Sequence, residues 1–291
     1  MNTDPREALV FRLPFSLLSI SGTGHVSFLH NILSQDIASM QIGEWRESAL
    51  LSATSHVQAY MTAIKTNSSV LLLSMEGQAN PLSQKLNRFV ITEDVQIKDI
   101  SADWQLFEVW GPRKENFLKK LSSLTLADNQ SYFKGNRFLL QPSESLPSET
   151  ALGLPSSREM LRIENGMLAF GKDFDETIML SETRLEKIAA SETKGCYPGQ
   201  EVVAKIETYK RLNRSFVQLK CDSNELPEVG AKIFSVTSQE EIGRLTSRAY
   251  SPFHQKTVGL GWLKRGFFEQ PIEVSIKSET TISAKTELLK N

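Results

Sequence analysis

Cysteine is scarce in this chain of 291 residues, which contains only Cys196 and Cys221. That excludes a secreted scaffold held together by disulfides. Histidine is nearly as rare. His25, His30, His56 and His254 are scattered, and none has metal-ligand spacing to cysteine or carboxylate, so no dedicated zinc site and no stably bound metal is expected. Long apolar runs are missing as well. No stretch approaches the roughly 20 residues that cross a bilayer, so no membrane role is expected. Met1 to Arg12 places Asp4, Arg6 and Glu7 ahead of any apolar run, unlike a signal peptide, and the expected location is the cytoplasm. Nor is there an excess of either charge, with 33 Lys plus Arg against 34 Asp plus Glu. A dedicated nucleic-acid binder carries a basic surplus, so direct nucleic-acid binding is not expected.

What is present is an ordinary globular mixture, 40% hydrophobic and 23% charged. A chain of this length removes about 75% of its extended surface from water on folding, enough for two or three domains without staples. The early residues read as a split βαβ arrangement, β-α-β-β-α-β. Leu9–Ile20 suits a strand. Thr23 is placed to cap a helix with Phe28, Leu29, Ile32 and Leu33 on one side. Val57–Lys65 and Val70–Met75 read as a hairpin. Pro81 opens a helix with Leu82, Leu86 and Phe89 on one face, and Trp104–Trp110 returns to strand character. Pro112–Leu124 reads as a further helix and Tyr132–Leu140 as a strand. The polar stretch Gln141–Ser157 reads as a surface loop.

Ser181 is placed to cap a helix over Glu182–Ala190. Beyond Asn213 the pattern changes to short strands. Val217, Leu219 and Cys221 alternate with polar residues, and Lys232–Val236, Thr257–Leu263, Ile272–Ile276 and Thr281–Leu288 follow. Glycines 230, 243, 259, 261 and 266 separate or bend them. This predicts a small antiparallel barrel or sandwich. The fold class is α+β, with a core over residues 1–213 and a β-barrel domain over 214–291.

Three segments carry candidate chemistry. In the first, Lys194-Gly195-Cys196-Tyr197-Pro198-Gly199-Gln200-Glu201, a thiol sits between two glycines in a tight path. Lys194 would favour the thiolate if its ammonium lies near the sulfur. Tyr197 can stack on a flat ligand, and Gln200 and Glu201 offer polar recognition. The plainer reading is a buried cysteine in a turn, and Cys221 reads as a core residue. The second segment runs from Arg158 through Arg162, Glu164 and Gly166 to Asp173. Its charged side chains can build a polar network beside a cleft, with Arg158 able to grip a carboxylate, or form an amphipathic helix and its closing turn. Asp173 suits a backbone cap or a ligand contact. The third, with Lys210, Arg211 and Arg214, can meet an anion or serve as a solvated connector. Gly22-Thr23-Gly24 lacks the third glycine of a dinucleotide fingerprint.

The run Lys194–Glu201 resembles the signature of the YgfZ group, which belongs with the glycine-cleavage T-protein in a wider folate-binding superfamily. Arg158–Asp173 resembles the shared R-x-x-L-R-x-E-x-G…G-x-D segment. Gly243–Ser247 and Val258–Arg265 resemble the C-terminal barrel. The resemblance covers nearly the whole chain, least distinctively in the first third. It implies a three-part fold around a central opening and a tetrahydrofolate species as ligand. It also implies a role in iron–sulfur cluster assembly or repair that indirectly supports tRNA modification, with Cys196 as the functional thiol and Lys194 beside it. Arg158, Arg162, Glu164, Tyr197, Gln200 and Glu201 then become candidate folate contacts, and the partners would be folate and transient iron–sulfur clients or assembly proteins. The alternatives are a tetrahydrofolate-dependent aminomethyltransferase or other one-carbon transferase, and a non-catalytic redox or interaction module. One departure stands out. Where aminomethyltransferases carry a glycine turn followed by an acidic residue, Ser55–Met61 here has neither.

Overall fold

The computed structural model describes residues 8–121, 124–126, 136–148, 150–209 and 211–289. It is an α+β fold whose chain packs as two units. The first comprises residues 1–52, 58–155 and 188–200; the second comprises 53–57, 156–187 and 201–291.

In the first unit, β1 (Leu9–Leu13) and β2 (Ser16–Ser21) replace the single strand expected over Leu9–Ile20. Pro14 lies in the break, having no N–H to donate to a ladder. The two strands then join different sheets. After β2 come α1 (His25–Ile32), β3 (Trp45–Leu51), β4 (Val57–Lys65), β5 (Ser69–Ser74), α2 (Ala79–Asn87) and β6 (Gln96–Asp99). The five-stranded sheet has the order β3-β4-β5-β2-β6. The predicted hairpin is β4 and β5. β3 is hard to see in sequence because WRESALL mixes Arg and Glu into an apolar strand, and β6 is short and mostly exposed. Thr23 does not cap α1. Its hydroxyl and N–H both donate to the Asp94 carboxylate, and Gly24 holds the cap position. In α2, Leu82 and Leu86 are buried, whereas Phe89 lies past the helix end and is partly exposed. One core joins Leu18, Ile20, Phe28, Leu29, Leu72, Leu82 and Leu86. Each such side chain stabilises by about 1.5–3 kcal/mol when fully buried.

The second sheet has the order β1-β7-β9-β8, built with β7 (Gln105–Trp110), β8 (Leu124–Leu126) and β9 (Asn136–Leu140). The helix expected over Pro112–Leu124 contracts to α3 (Lys114–Leu118), and residues 132–135 of the expected Tyr132–Leu140 strand lie outside the described residues.

The rest of the chain runs through α4 (Pro155–Glu164), α5 (Leu180–Thr183), α6 (Glu186–Ala189) and α7 (Gln200–Tyr209). The single helix expected from Ser181 is split by Arg184, which adopts a left-handed φ of 61°. Met179, not Ser181, holds the cap position of α5, and the Glu182 carboxylate accepts its N–H. Six strands then close into an antiparallel barrel: β10 (Arg214–Cys221), β11 (Lys232–Ser235), β12 (Glu241–Ser251), β13 (Lys256–Lys264), β14 (Glu273–Lys277) and β15 (Thr281–Leu288). Val217, Leu219, Cys221, Ile233, Leu245 and Ile276 fill it. Glycines 243 and 261 are not separators. They lie inside strands, where a Cβ would come within 2.0 Å of the Trp262 carbonyl oxygen and 2.5 Å of the Arg244 carbonyl oxygen, respectively. Strands this close admit only glycine.

Candidate functional site

The Cys196 loop, residues 190–199, belongs to the first unit and is tied to the C-terminal end of α1. Ser34 Oγ donates to the Ala189 carbonyl, Gln35 Nε2 to the Ile188 carbonyl, and the Ser191 N–H to the Ser34 carbonyl. Lys194 completes the attachment. Its side chain is buried and its Nζ donates to the carbonyls of His30, Leu33 (2.5 Å) and Gln35 (3.4 Å). The last carbonyls of a helix have no partner within the helix and carry its negative dipole end, which suits an ammonium. Burial pulls the Lys194 pKa down to about 8, against the opposing charge of Asp36. The ammonium also lies 5.0 Å from the centre of the Tyr197 ring, which is itself buried.

On this anchored loop Cys196 is exposed. The plainer reading of a cysteine sealed in a turn is therefore set aside, while Cys221 is a core residue of the barrel, its thiol pushed up to about 11 by burial. Of the flanking glycines only Gly199 needs its freedom, with φ 82°; a side chain at Gly195 would point into open space. Gln200 opens α7 and Nε2 reaches the Lys194 carbonyl at 3.5 Å. Glu201 is exposed and paired with Lys205 at 2.5 Å.

The α4 residues belong to the second unit. The helix closes through Gly166 at φ 69°, with the Gly166 and Met167 N–H groups donating to the Ile163 and Arg162 carbonyls. Arg162, only 2% exposed, has every guanidinium N–H engaged. Nε and Nη2 donate to Glu159 at 3.0 and 2.8 Å, Nη1 to Asp173 at 2.6 Å and to the Met167 carbonyl at 2.5 Å, and Nη2 also to Ser247 Oγ at 2.7 Å. These acceptors raise its pKa despite burial. Burial works to raise the Glu159 pKa, but Arg162, Lys172 and Arg158 together hold it down to about 2. With its donors consumed by protein groups, Arg162 can position its neighbours but has no N–H left for a ligand.

Asp173 is the centre of this network. Besides Arg162 it accepts from the Ala169 N–H at 2.9 Å, Thr246 Oγ1 at 2.7 Å and Ser247 Oγ at 2.6 Å. Consecutive strand residues ordinarily face opposite ways, but the β12–β13 register slips between Leu245 and Ser247. Such a bulge re-aims side chains, and here both hydroxyls reach one carboxylate. Two hydroxyl residues side by side in the strand were the hint of this in the sequence. Glu164, one turn-end from Arg162, accepts from Ser251 Oγ, and its backbone carbonyl accepts from Gln218 Nε2 at 2.9 Å. Arg158 is half-buried and contributes to the field around Glu159.

The hairpin tip between β3 and β4, where resemblance predicted an absent glycine turn, is closed by Ser55 in a left-handed conformation at φ 61°. The Val57 and Leu180 N–H groups donate to the Ile178 and Ser55 carbonyls. Among the described residues no group of three or more His, Cys, Asp or Glu is placed to hold a metal ion, and no helix is long and apolar enough to cross a membrane.

Comparison with known proteins decides the family. Residues 13–140 match the GCVT N-terminal domain, and residues 214–288 match the glycine cleavage T-protein C-terminal barrel domain. The chain belongs to the GcvT-like aminomethyltransferase and folate-binding family. Relatives in this family include a chloroplastic Arabidopsis thaliana protein named a candidate transferase, 24% identical over 86% of this chain, which spans 64% of that protein's length. An aminomethyltransferase of Listeria monocytogenes is 21% identical over 89% of this chain and 80% of its own. The GcvT-like fold is matched by the crystal structure of the glycine cleavage system aminomethyltransferase T from Bartonella henselae, with TM-score 0.84, 19% identity and coverage of 98% of this chain and 86% of that one.

Proposed function

We propose that this GcvT-like chain binds a reduced folate and uses the exposed Cys196 thiol in iron–sulfur cluster assembly or repair, so supporting tRNA modification indirectly. The observation that carries the reading is the Cys196 loop: an exposed sulfur on a backbone that Lys194, Ser34 and Gln35 hold in place. Thiolate sulfur is a natural iron ligand. One cysteine cannot build a four-thiolate cluster site, so cluster contact is transient and shared with a partner protein.

The chemistry of the second unit fits a folate. A pterin edge is rich in N–H donors and asks for a fixed carboxylate acceptor. Glu164 has four lone-pair directions on its carboxylate, and its hydrogen bond from Ser251 orients it without exhausting them. Arg162 and Asp173 fix the end of α4 that carries Glu164, and Arg158, Tyr197, Gln200 and Glu201 remain candidate ligand contacts. Bound tetrahydrofolate would supply one-carbon carrying capacity.

A second reading, transfer of a one-carbon unit as in an aminomethyltransferase, draws direct support from the names of the relatives. Against it stands the hairpin: residues 52–61 include no carboxylate to handle a proton during such a transfer. Calorimetry with tetrahydrofolate under reducing conditions tests the ligand. Saturable binding, weakened by Glu164→Gln, is the expected result, and no binding overturns the folate assignment. The variant Cys196→Ser is expected to keep folate affinity while losing support of cluster-enzyme activity; normal recovery of those enzymes would remove the thiol from the mechanism. One-carbon product from an amine donor, tetrahydrofolate and purified protein would decide for the transferase.

A further inference from the structure

A cavity of about 330 Å³ lies within the second unit and plays no part in the proposed function. It is lined by His56, Met179, Glu182, Asn213, Arg214, Trp262 and Lys264. Its volume falls at the small end of the ligand-pocket range.

The charge arrangement is unusual for a structural surface. Arg214 and Lys264 are direct cross-strand partners in the β10–β13 ladder. Like charges set opposite each other on neighbouring strands destabilise a sheet. Glu182 relieves only one of them, accepting from Arg214 Nε at 3.0 Å. Lys264 Nζ donates to a neutral acceptor, the Glu241 backbone carbonyl, at 2.7 Å. The Glu241 carboxylate feels Lys264 but is already paired with Lys232 at 2.8 Å and close to Arg244. Asp175 lies in the field of Arg214 but is bonded to Thr177.

The donor count points the same way. Arg214 offers five N–H groups, and the bonds from Nε to Glu182 and from Nη2 to the Thr177 carbonyl at 2.7 Å leave others directed elsewhere. Lys264 has two N–H groups beyond the one given to Glu241. Trp262, two residues before Lys264 on the same strand face, lies 5.6 Å from the Arg214 guanidinium and forms an apolar wall. The cavity therefore sets two cations with spare donors against the single carboxylate of Glu182, which is already engaged by Arg214 and the Met179 N–H, and is flanked by one flat apolar surface.

We propose that this pocket is a binding site for a small oxyanion-bearing molecule, whose carboxylate or phosphate is held between Arg214 and Lys264 while its body rests on Trp262. An anion there satisfies the spare donors and cancels the cross-strand repulsion. The site is independent of the folate assignment, since no residue in it belongs to the Arg162, Glu164 or Cys196 groups.

Titration calorimetry of the full-length protein at constant ionic strength, with inorganic phosphate in one series and succinate in another, tests the proposal. Saturable one-site binding of at least one probe is expected; phosphate alone would assign the site to phosphate esters and succinate alone to carboxylates. Lys264→Met should weaken that binding about tenfold, as loss of one charge-assisted hydrogen bond does. Lys264 is exposed, so this variant should melt close to the parent. Arg214→Lys keeps the charge but loses the planar fork, and should weaken binding less than Lys264→Met combined with Arg214→Lys. Absence of saturable binding with both probes overturns the proposal, and so does binding that Lys264→Met leaves unchanged in a folded variant.

Discussion

Two buried cations organise the two units, and they are satisfied in opposite ways. Lys194 donates its hydrogen bonds to backbone carbonyls, which are dipoles, and burial wins over the opposing charge of Asp36: its pKa falls to about 8. Arg162 faces two carboxylates as well as a carbonyl and a hydroxyl, and the charges win over burial, so its pKa rises. Neutral acceptors orient a buried ammonium without repaying all of its lost hydration, whereas carboxylates repay it and become dependent on the cation in return. Lys194 therefore fixes a loop that displays a sulfur, while Arg162 locks a network that positions Glu164.

The largest break in this comparison comes from Arg162→Met. It leaves Asp173 without its counter-charge and Glu159 with only Lys172 and Arg158, and should cost about 3–5 kcal/mol in denaturant unfolding. Arg162→Lys should not restore the loss, because three donors cannot replace five. Lys194→Met removes a cation but strands no opposite charge, so the cost should be smaller, about 2 kcal/mol from the carbonyls left without donors. A cost equal to that of Arg162→Met would erase the distinction. Ser55 supplies the case with no partner at all: its buried hydroxyl lacks a hydrogen bond among the described residues and its backbone is left-handed. Ser55→Gly should stabilise by about 1 kcal/mol, removing both costs, as a raised melting midpoint would report.

The gentlest test is the pH profile. Glu159 is held below its ordinary 4.5, so its contribution is fully present above 4.5 and is lost as pH falls through about 2. Lys194 is depressed from 10.5 to about 8, so the folded chain releases that proton before the unfolded chain does. Its contribution to stability therefore rises as pH climbs from about 8 to 10.5. Melting curves should lose the acid slope in Glu159→Gln and the alkaline slope in Lys194→Met.

The α+β class and the barrel were legible because burial alternates regularly through β14, most of β15 and the Val217–Cys221 part of β10. The strand β3 and the helix α7 were not, since each mixes charge into its pattern without a clean period. The Cys196 segment was visible as a cysteine between glycines, but its anchorage was not. The acceptors of Lys194 are carbonyls more than 150 residues away, and a backbone carbonyl has no letter in a sequence. Similarly, Arg162 and Asp173 stood out as charged residues near a turn, but only the β12 bulge reveals why Thr246 and Ser247 complete their network. The helix break at Arg184 was hidden because arginine carries no turn preference to announce a left-handed residue.

Closure of the β10–β15 barrel has a consequence for how this protein meets others. Each of its six strands has a neighbour on both sides, although the Ser247–Ser251 end of β12 runs past β11, so little of that sheet is open to a further strand. A polypeptide partner finds little room to join that part of the molecule by extending a sheet. Recognition on the barrel falls mainly to side chains and connecting turns, which makes it open to retuning by single substitutions while the scaffold itself resists templated aggregation.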